Sequence, residues 1–326
     1  MDRKRNTTWS HHPDLPIPVS PILSWPPRPL AWLRWIASYW LAISSVTVEL
    51  LLAWAVYRWF QPGWDEMRQL APGWMLQIWL RNLILLVLVA GGLHLWFVTL
   101  KGQGKTLKFD GRDQMANNGH FSFNNQVYDN MFWSITSSLS AWSLYEIAYF
   151  WAAANGVVPQ ITLATNPVWF IAWLVLIPIW SSFHFYWAHR LLHWPPLYRL
   201  AHALHHRNIN IGPWAGISMH PIEAVLYFST LLIHFIVPSH PIHFLFHAYV
   251  NGLNPCVSHS GFEGISVQNR KRFNTGDFFH QLHHRYFECN YGTAEMPWDV
   301  MFGSFHDGSE DATRRTRERK KRMHSR

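Results

Sequence analysis

Four apolar runs, near residues 31–57, 74–99, 131–153 and 167–188, approach or exceed the length of a membrane span. A helix needs about 20 such residues to cross a hydrocarbon layer of roughly 30 Å. In lipid the backbone must satisfy its own hydrogen bonds, so runs of this length are confined to helices packed as a bundle. A fifth apolar region, 222–250, is interrupted by Pro238 and Pro241 around Ser239-His240. It reads as a helical hairpin, either a pair of short spans or a re-entrant unit. The composition agrees: only 14% of the residues are charged and 21 are tryptophan, against about 25% charged in soluble chains. Indoles anchor helices at membrane interfaces. The mean hydropathy of -0.05 averages these runs with a polar start and a basic end. The expected fold class is all-α, a multi-span integral membrane helical bundle. It has about four spans plus a helical hairpin, with a histidine-rich helical cap on the cytoplasmic side.

Charge sets the expected orientation. Arg3, Lys4 and Arg5 precede the first run, and Lys101, Lys105, Lys108 and Arg112 lie in the loop near 100–130. The 154–166 link and the hairpin tip at 238–241 carry no Lys, Arg, Asp or Glu. By the positive-inside tendency, both termini, the 100–130 loop and the region from His189 onward share the cytoplasmic face. Residues 1–28, rich in proline, read as a flexible arm, and 29–178 hold the spans. Residues 179–306 carry the histidines together with hairpin 222–250, and 307–326 form a basic tail. Beside membrane spans, that tail is expected to meet anionic lipids or to fix topology, and no nucleic acid is expected as a partner. Arg81 and Glu146 fall inside spans, where charge is costly; a buried pair or a snorkelling arginine accounts for them. Cys256 and Cys289 form no C-x-x-C pair and give no zinc-ribbon or thioredoxin signal.

Eight histidines stand in three tight groups: His189 and His193; His202, His205 and His206; His280, His283 and His284. On a helix, residues four apart share a face about 6 Å apart along the axis, so each group aims its imidazoles at one spot. Packing does not explain two repeats of H-x-x-H-H, and the reading is a poly-histidine metal site. One tetrahedral zinc takes only four ligands, so the set suits two metals, each with several nitrogen ligands and an open position. Imidazole alone does not choose among Zn, Cu, Fe and Ni. Neither H-E-x-x-H nor the Glu-x-x-His of soluble di-iron bundles occurs, and a b-type haem would use only two of the rings. Isolated His94, His234 and His324 read as packed or solvated. His184, five residues before His189, is about 140° off that helical face.

The ordered set H-R-x-x-H, H-x-x-H-H, H-x-x-H-H resembles the fatty acid hydroxylase/sterol desaturase superfamily. Its flanks resemble it too: Tyr186-Trp187-Ala188-His189-Arg190, Met219-His220-Pro221-Ile222-Glu223, His259-Ser260-Gly261, Asn290-Tyr291-Gly292, Trp298-Asp299 and Phe302-Gly303-Ser304-Phe305. The likeness covers roughly 180–306 and makes 179–306 a catalytic region. It implies a non-haem centre of two iron ions (Fe2+) with O2 as co-substrate, attacking an unactivated C–H bond. No side chain cleaves such a bond, so a redox metal must carry that step. The ligands implied are His189, His193, His202, His205, His206, His259, His280, His283 and His284. His220 is either a further ligand or a donor beside the ligands. Glu223 and Asp299 are implied acceptors that orient ring N–H groups, or helix caps. The chain departs from the family at Ser181-Ser182-Phe183-His184, where many members have an acidic residue. These residues contain no H-P-G-G haem motif, so the expected partners are a lipid substrate from the bilayer and an external electron donor. That donor would be cytochrome b5-like, or a ferredoxin with its reductase. The expected membrane is the endoplasmic reticulum or a bacterial inner membrane. The competing functions are a histidine-lined metal transporter, whose histidines would spread through the bilayer, and a membrane haem electron carrier.

Overall fold

The computed structural model describes residues 9–38, 44–268 and 270–324. Helices α1 (Pro29–Ile36) and α2 (Ser45–Trp59) occupy the first apolar run. A single span over 31–57 is therefore not what forms. Ser44 starts a new helix, its hydroxyl accepting from the Thr47 amide, as Ser at an N-cap does. Helix α3 (Pro72–Thr99) is continuous over 28 residues, with Pro72 in the first turn, where its missing N–H costs nothing. Helix α4 runs over 126–154, with a wide π turn at Ser134–Leu139. Helix α5 (Pro167–Leu192) again starts on a proline and stops before Trp194-Pro195-Pro196.

Among the described residues, α3 and α5 are long and apolar enough to cross a membrane, against four spans expected. The difference at α4 is chemical. Asn130, Ser134, Ser137, Ser138, Ser143 and Glu146 are buried polar residues that interrupt its apolar run. On α3 and α5, by contrast, Ile84, Leu88 and Leu95, and Val168, Ile171 and Val175, are exposed at near-helical spacing. Apolar stripes of that length left bare on a single chain mark contact with lipid.

Hairpin 222–250 forms as a helical pair, α6 (Pro221–Phe235) and α7 (Pro241–Gly252). It packs with α2, α4 and α5 around a fully buried aromatic core that includes Trp142, Tyr149, Phe228 and Phe244. Tyr149 stacks on Phe244 at 4.1 Å. Arg81 and Glu146 are a buried ion pair joining α3 to α4, and Asn82 donates to the second carboxylate oxygen at 2.9 Å. A two-stranded antiparallel ribbon, β1 (Gly264–Val267) and β2 (Arg270–Asn274), precedes α8 (Phe278–Tyr286). The basic tail is helical, α9 (Glu310–His324).

The proline-rich start is not a free arm over its described part. The Ser10 amide donates to Phe109 O at 2.9 Å and the Ile17 amide to Asp307 O at 2.9 Å. Trp9 sits edge-on to Phe278, and Ile17 and Ile22 are buried. Its prolines have little backbone freedom to lose, so a few apolar anchors suffice to order it. The 100–130 loop joins the same layer, with the Phe109 amide on Gly261 O and the Glu263 amide on Leu107 O.

Candidate metal centre

Five segments deliver nine imidazoles to one buried place. The end of α5 brings His189 and His193, and the Trp194-Pro195-Pro196 break turns the chain back. His202, His205 and His206 then lie not on a regular α-helix but on a π turn, Tyr198–His202, and a 3-10 turn, His205–Arg207. Gln126 and Asn130 of α4 hold that turn: both donate to Asn208 Oδ1, at 3.0 and 2.9 Å. Asn208 in turn donates to His205 O at 3.1 Å. His259 follows the short helix Asn254–Ser258, and α8, capped by the Asp277 carboxylate on the Phe279 amide, carries His280, His283 and His284. Gly216 allows this assembly. A methyl group there would overlap the Pro255 carbonyl, which is the acceptor for the His259 ring.

The rings form two groups, His189, His193, His202, His206 and His283, and His205, His259, His280 and His284, all buried. Within each, the candidate ligand atoms lie within 4.8 Å of one another. Each H-x-x-H-H box is therefore divided. His202 and His206 serve the first group and their neighbour His205 the second, while His280 and His284 serve the second and His283 the first. Residues four apart on a helix share a face, but adjacent residues diverge by about 100°. A box of this spacing thus feeds two sites rather than one spot.

The hydrogen bonds decide which nitrogens face inward. His189 Nδ1 donates to Tyr291 O (2.7 Å), His205 Nδ1 to Ser218 O (3.3 Å), His259 Nδ1 to Pro255 O (2.8 Å) and His283 Nδ1 to Cys289 O (2.6 Å). His202 Nδ1 meets Glu223 Oε1 at 2.7 Å. A carbonyl only accepts, so each of these Nδ1 atoms carries the proton and each neutral ring presents a bare Nε2. Burial, reinforced by neighbouring rings, holds His206, His280, His283 and His284 well below the ordinary imidazole value. It pushes His259 down to about 3. The inward atoms then crowd: His189 Nε2 is 3.1 Å from His202 Nε2, and His283 Nε2 is 3.0 Å from His206 Nε2. His259 Nε2 lies 3.1 Å from His280 Nε2 and 3.2 Å from His284 Nε2. Where both nitrogens are bare, as at His189 and His202, lone pair faces lone pair, which repels unless a cation sits between them; each group's donor set fits a metal ion.

Other singled-out residues fall around this centre. His220 lies outside both groups; its Nδ1 accepts from the Ile222 amide and caps α6. His184 bonds Ser229 Oγ at 2.9 Å, away from the rings. Among the described contacts, Asp299 touches no ring. Its carboxylate takes the Tyr291 and Gly292 amides (2.8 and 2.7 Å) and the Ser304 hydroxyl, so it fixes the loop whose carbonyl orients His189. Glu223 contacts His202 directly. Replacing it by Ala is expected to weaken metal retention 10–100-fold, the usual cost of losing such a partner, while Glu223→Gln costs less. Metal content after dialysis against a competing chelator measures this, and retention equal to the parent's would remove Glu223 from that role. The carbonyls of Ser218, Pro255, Cys289 and Tyr291 leave no mark in sequence. Glu288, whose carboxylate takes the Tyr291 hydroxyl at 2.7 Å and lies 3.8 Å from His193 Nδ1, also escaped sequence reasoning.

A cavity of about 620 Å³ reaches His189, His202, His205, His259 and His280. Trp35, Val46, Pro178, Phe185 and Tyr227 contribute to its apolar lining, and Ile17 and Pro18 of the N-terminal segment also border it.

Comparison with known proteins agrees with this geometry. The "Fatty acid hydroxylase" family matches residues 173–304. A Delta(7)-sterol 5(6)-desaturase of Candida glabrata is 35% identical over 37% of this chain and 32% of its own length. One from Eremothecium gossypii is 31% identical over 40% of this chain and 36% of its own. The Delta(7)-sterol-C5(6)-desaturase of Nicotiana tabacum is 26% identical over 73% of this chain and 86% of its own length. The chain spans about a third of the length of these fungal relatives. No solved structure matches it. The matched segment holds all three histidine boxes, and over it the chain is similar to the fatty acid hydroxylase family.

Proposed function

We propose that this chain is a membrane-bound, O2-dependent oxidoreductase with two iron ions, which desaturates or hydroxylates an unactivated C–H bond of a lipid. The observation that carries the reading is the pair of buried imidazole groups opening onto one apolar-lined cavity. The names of the relatives direct the substrate toward sterol-like lipids. Bound iron would supply the redox chemistry that side chains lack. His189, His193, His202, His206 and His283 would hold one ion, and His205, His259, His280 and His284 the other.

The protein's own part is positional. The carbonyl and carboxylate partners fix each ring's tautomer and direction before any metal arrives. Phe185, Tyr227 and Val46 form apolar walls that bring a lipid up to the rings and keep bulk water away. The balance is explicit: hydroxylation inserts one oxygen atom and releases one water, and desaturation removes two hydrogens and releases two. Each consumes one O2, two protons and two electrons from outside.

In this reading the bundle crosses the endoplasmic reticulum or bacterial inner membrane several times, with the histidine cap and both termini on the cytoplasmic side. Two observations support the shared side: the N-terminal segment and the 100–130 loop pack on the cap, and all three are cationic. The test is lipid mass spectrometry of cells expressing the chain or its His205→Ala form, together with iron analysis of the purified protein. A lipid losing about 2 Da or gaining about 16 Da only with the intact chain, as removal of two hydrogens or insertion of oxygen requires, is the expected result. Unchanged lipids and no bound iron would sink the proposal.

A further inference from the structure

The metal centre is deeply buried, yet at one point a single ring separates a candidate ligand from the surface. Phe287, half-buried at the end of α8, packs against the His206 ring at 4.8 Å between centroids. Above it, Lys320 Nζ of α9 lies 4.8 Å from the Phe287 centroid, and Arg319 donates to Glu288 O. Phe287 has φ 71°, in a region that side chains other than glycine rarely adopt, and its amide closes the helix on His283 O at 2.7 Å. Glycine is the usual residue for a helix end of this kind. A phenyl ring held there against its backbone preference points to a use for the ring.

The surface over this ring is strongly cationic. Between 314 and 321, α9 carries Arg314, Arg315, Arg317, Arg319, Lys320 and Lys321 against the single acid Glu318. Arg314 is paired with Asp311 at 2.9 Å. Ala312 and Thr316 are buried and seat the helix, while Arg315, Arg317, Lys320 and Lys321 are exposed. Tyr198 packs on the same His206 ring from another side, at 5.8 Å, and Arg199 beside it is also exposed.

We propose that the C-terminal helix and the Phe287 ring beneath it form the docking and electron-entry site for an acidic one-electron carrier protein. The inference rests on the redox reading of the centre given above. Each encounter oxidises the carrier by one electron and reduces the centre by one. Two encounters supply the electrons that the C–H bond does not, and the protons come from water. A membrane surface would also attract these cations, but it has no use for an aromatic contact to a metal ligand. The coincidence of the cations with Phe287 favours a redox protein.

The test uses the full chain in detergent and a soluble, acidic two-iron ferredoxin as the probe. Binding of oxidised ferredoxin to the metal-free chain should weaken steeply between about 20 and about 300 mM salt. In the Arg317→Glu/Lys320→Glu/Lys321→Glu variant it should fall roughly tenfold or more. With iron bound, stopped-flow reduction by reduced ferredoxin should fall in parallel, while iron content and reduction by dithionite stay at the parent's level. Phe287→Leu should slow ferredoxin-driven reduction several-fold and leave binding intact. Parent-like binding and reduction in the charge variant would overturn the proposal. So would a charge variant that loses only its binding to phosphatidylserine-containing vesicles, since the patch would then serve lipid. Iron in the unsubstituted chain that dithionite itself cannot reduce would overturn the underlying redox reading, a separate failure seen without any substitution.

Discussion

Stripping metal from the purified chain with a chelator is expected to lower its unfolding temperature by roughly 5–10 °C, and restoring metal should recover it. The reason is the crowding of ring nitrogens: bare His189 and His202 Nε2 atoms meet at 3.1 Å, and His259 Nε2 lies 3.1 Å from His280 Nε2. Without a cation the His189–His202 contact is repulsive, and the buried rings cannot escape by protonation, because burial disfavours the charged form. Metal bound to the native state at about a thousand times its dissociation constant stabilises it by about 4 kcal/mol. For a chain of this size each kcal/mol moves the midpoint by about 2 °C. Differential scanning fluorimetry in detergent reads the shift, with His283→Ala expected to show a smaller one because the first group loses a donor. Identical melting of stripped and loaded protein would mean that the rings do not hold metal in this arrangement.

The second large effect concerns a pair remote from the rings. Arg81→Ala should destabilise the protein by about 3–5 kcal/mol, the cost of leaving a buried partner charge unpaired. Glu146 loses its ion pair in that variant and, among the described residues, keeps the hydrogen bond from Asn82. Arg81→Leu combined with Glu146→Leu should recover most of the loss, since two apolar residues of similar volume make no such demand. Denaturant unfolding of the single and double variants measures this. Equal stability of Arg81→Ala and the parent would show that the pair is solvated rather than buried.

Eight of the nine ring positions were legible because metal chemistry forces residue identity at fixed spacing, and sequence preserves spacing; His259 came only with the family resemblance. Their division was not. The H-x-x-H-H boxes read as pointing at one spot because i, i+3 and i+4 fall on one side of a helix, yet His205 and His206 part to different groups. The hairpin with Pro238 and Pro241 at its turn was readable from proline chemistry. The polar residues of α4 were harder to place. Ser134, Ser138 and Glu146 sit in a run apolar enough to suggest a span, and only packing shows that their side chains are buried within the fold. The N-terminal segment misled for the opposite reason: its composition resembles a linker, whereas Trp9, Ile17 and Ile22 find partners remote in sequence. Carbonyl acceptors such as Tyr291 O and Cys289 O depend on backbone direction, which side-chain identity does not encode.

The divided boxes carry one more consequence. His205-His206 and His283-His284 each send one ring to either group from neighbouring α-carbons, which a trans peptide holds 3.8 Å apart, about as constant a length as a protein possesses. The two sites are thereby stapled together twice by covalent backbone. Helices can shift as lipid enters or thermal motion loosens the bundle, but the paired α-carbons of each box keep their spacing through such shifts. Part of the centre's internal ruler is thus set by bond lengths, which packing and hydrogen bonds then complete in a soft membrane protein.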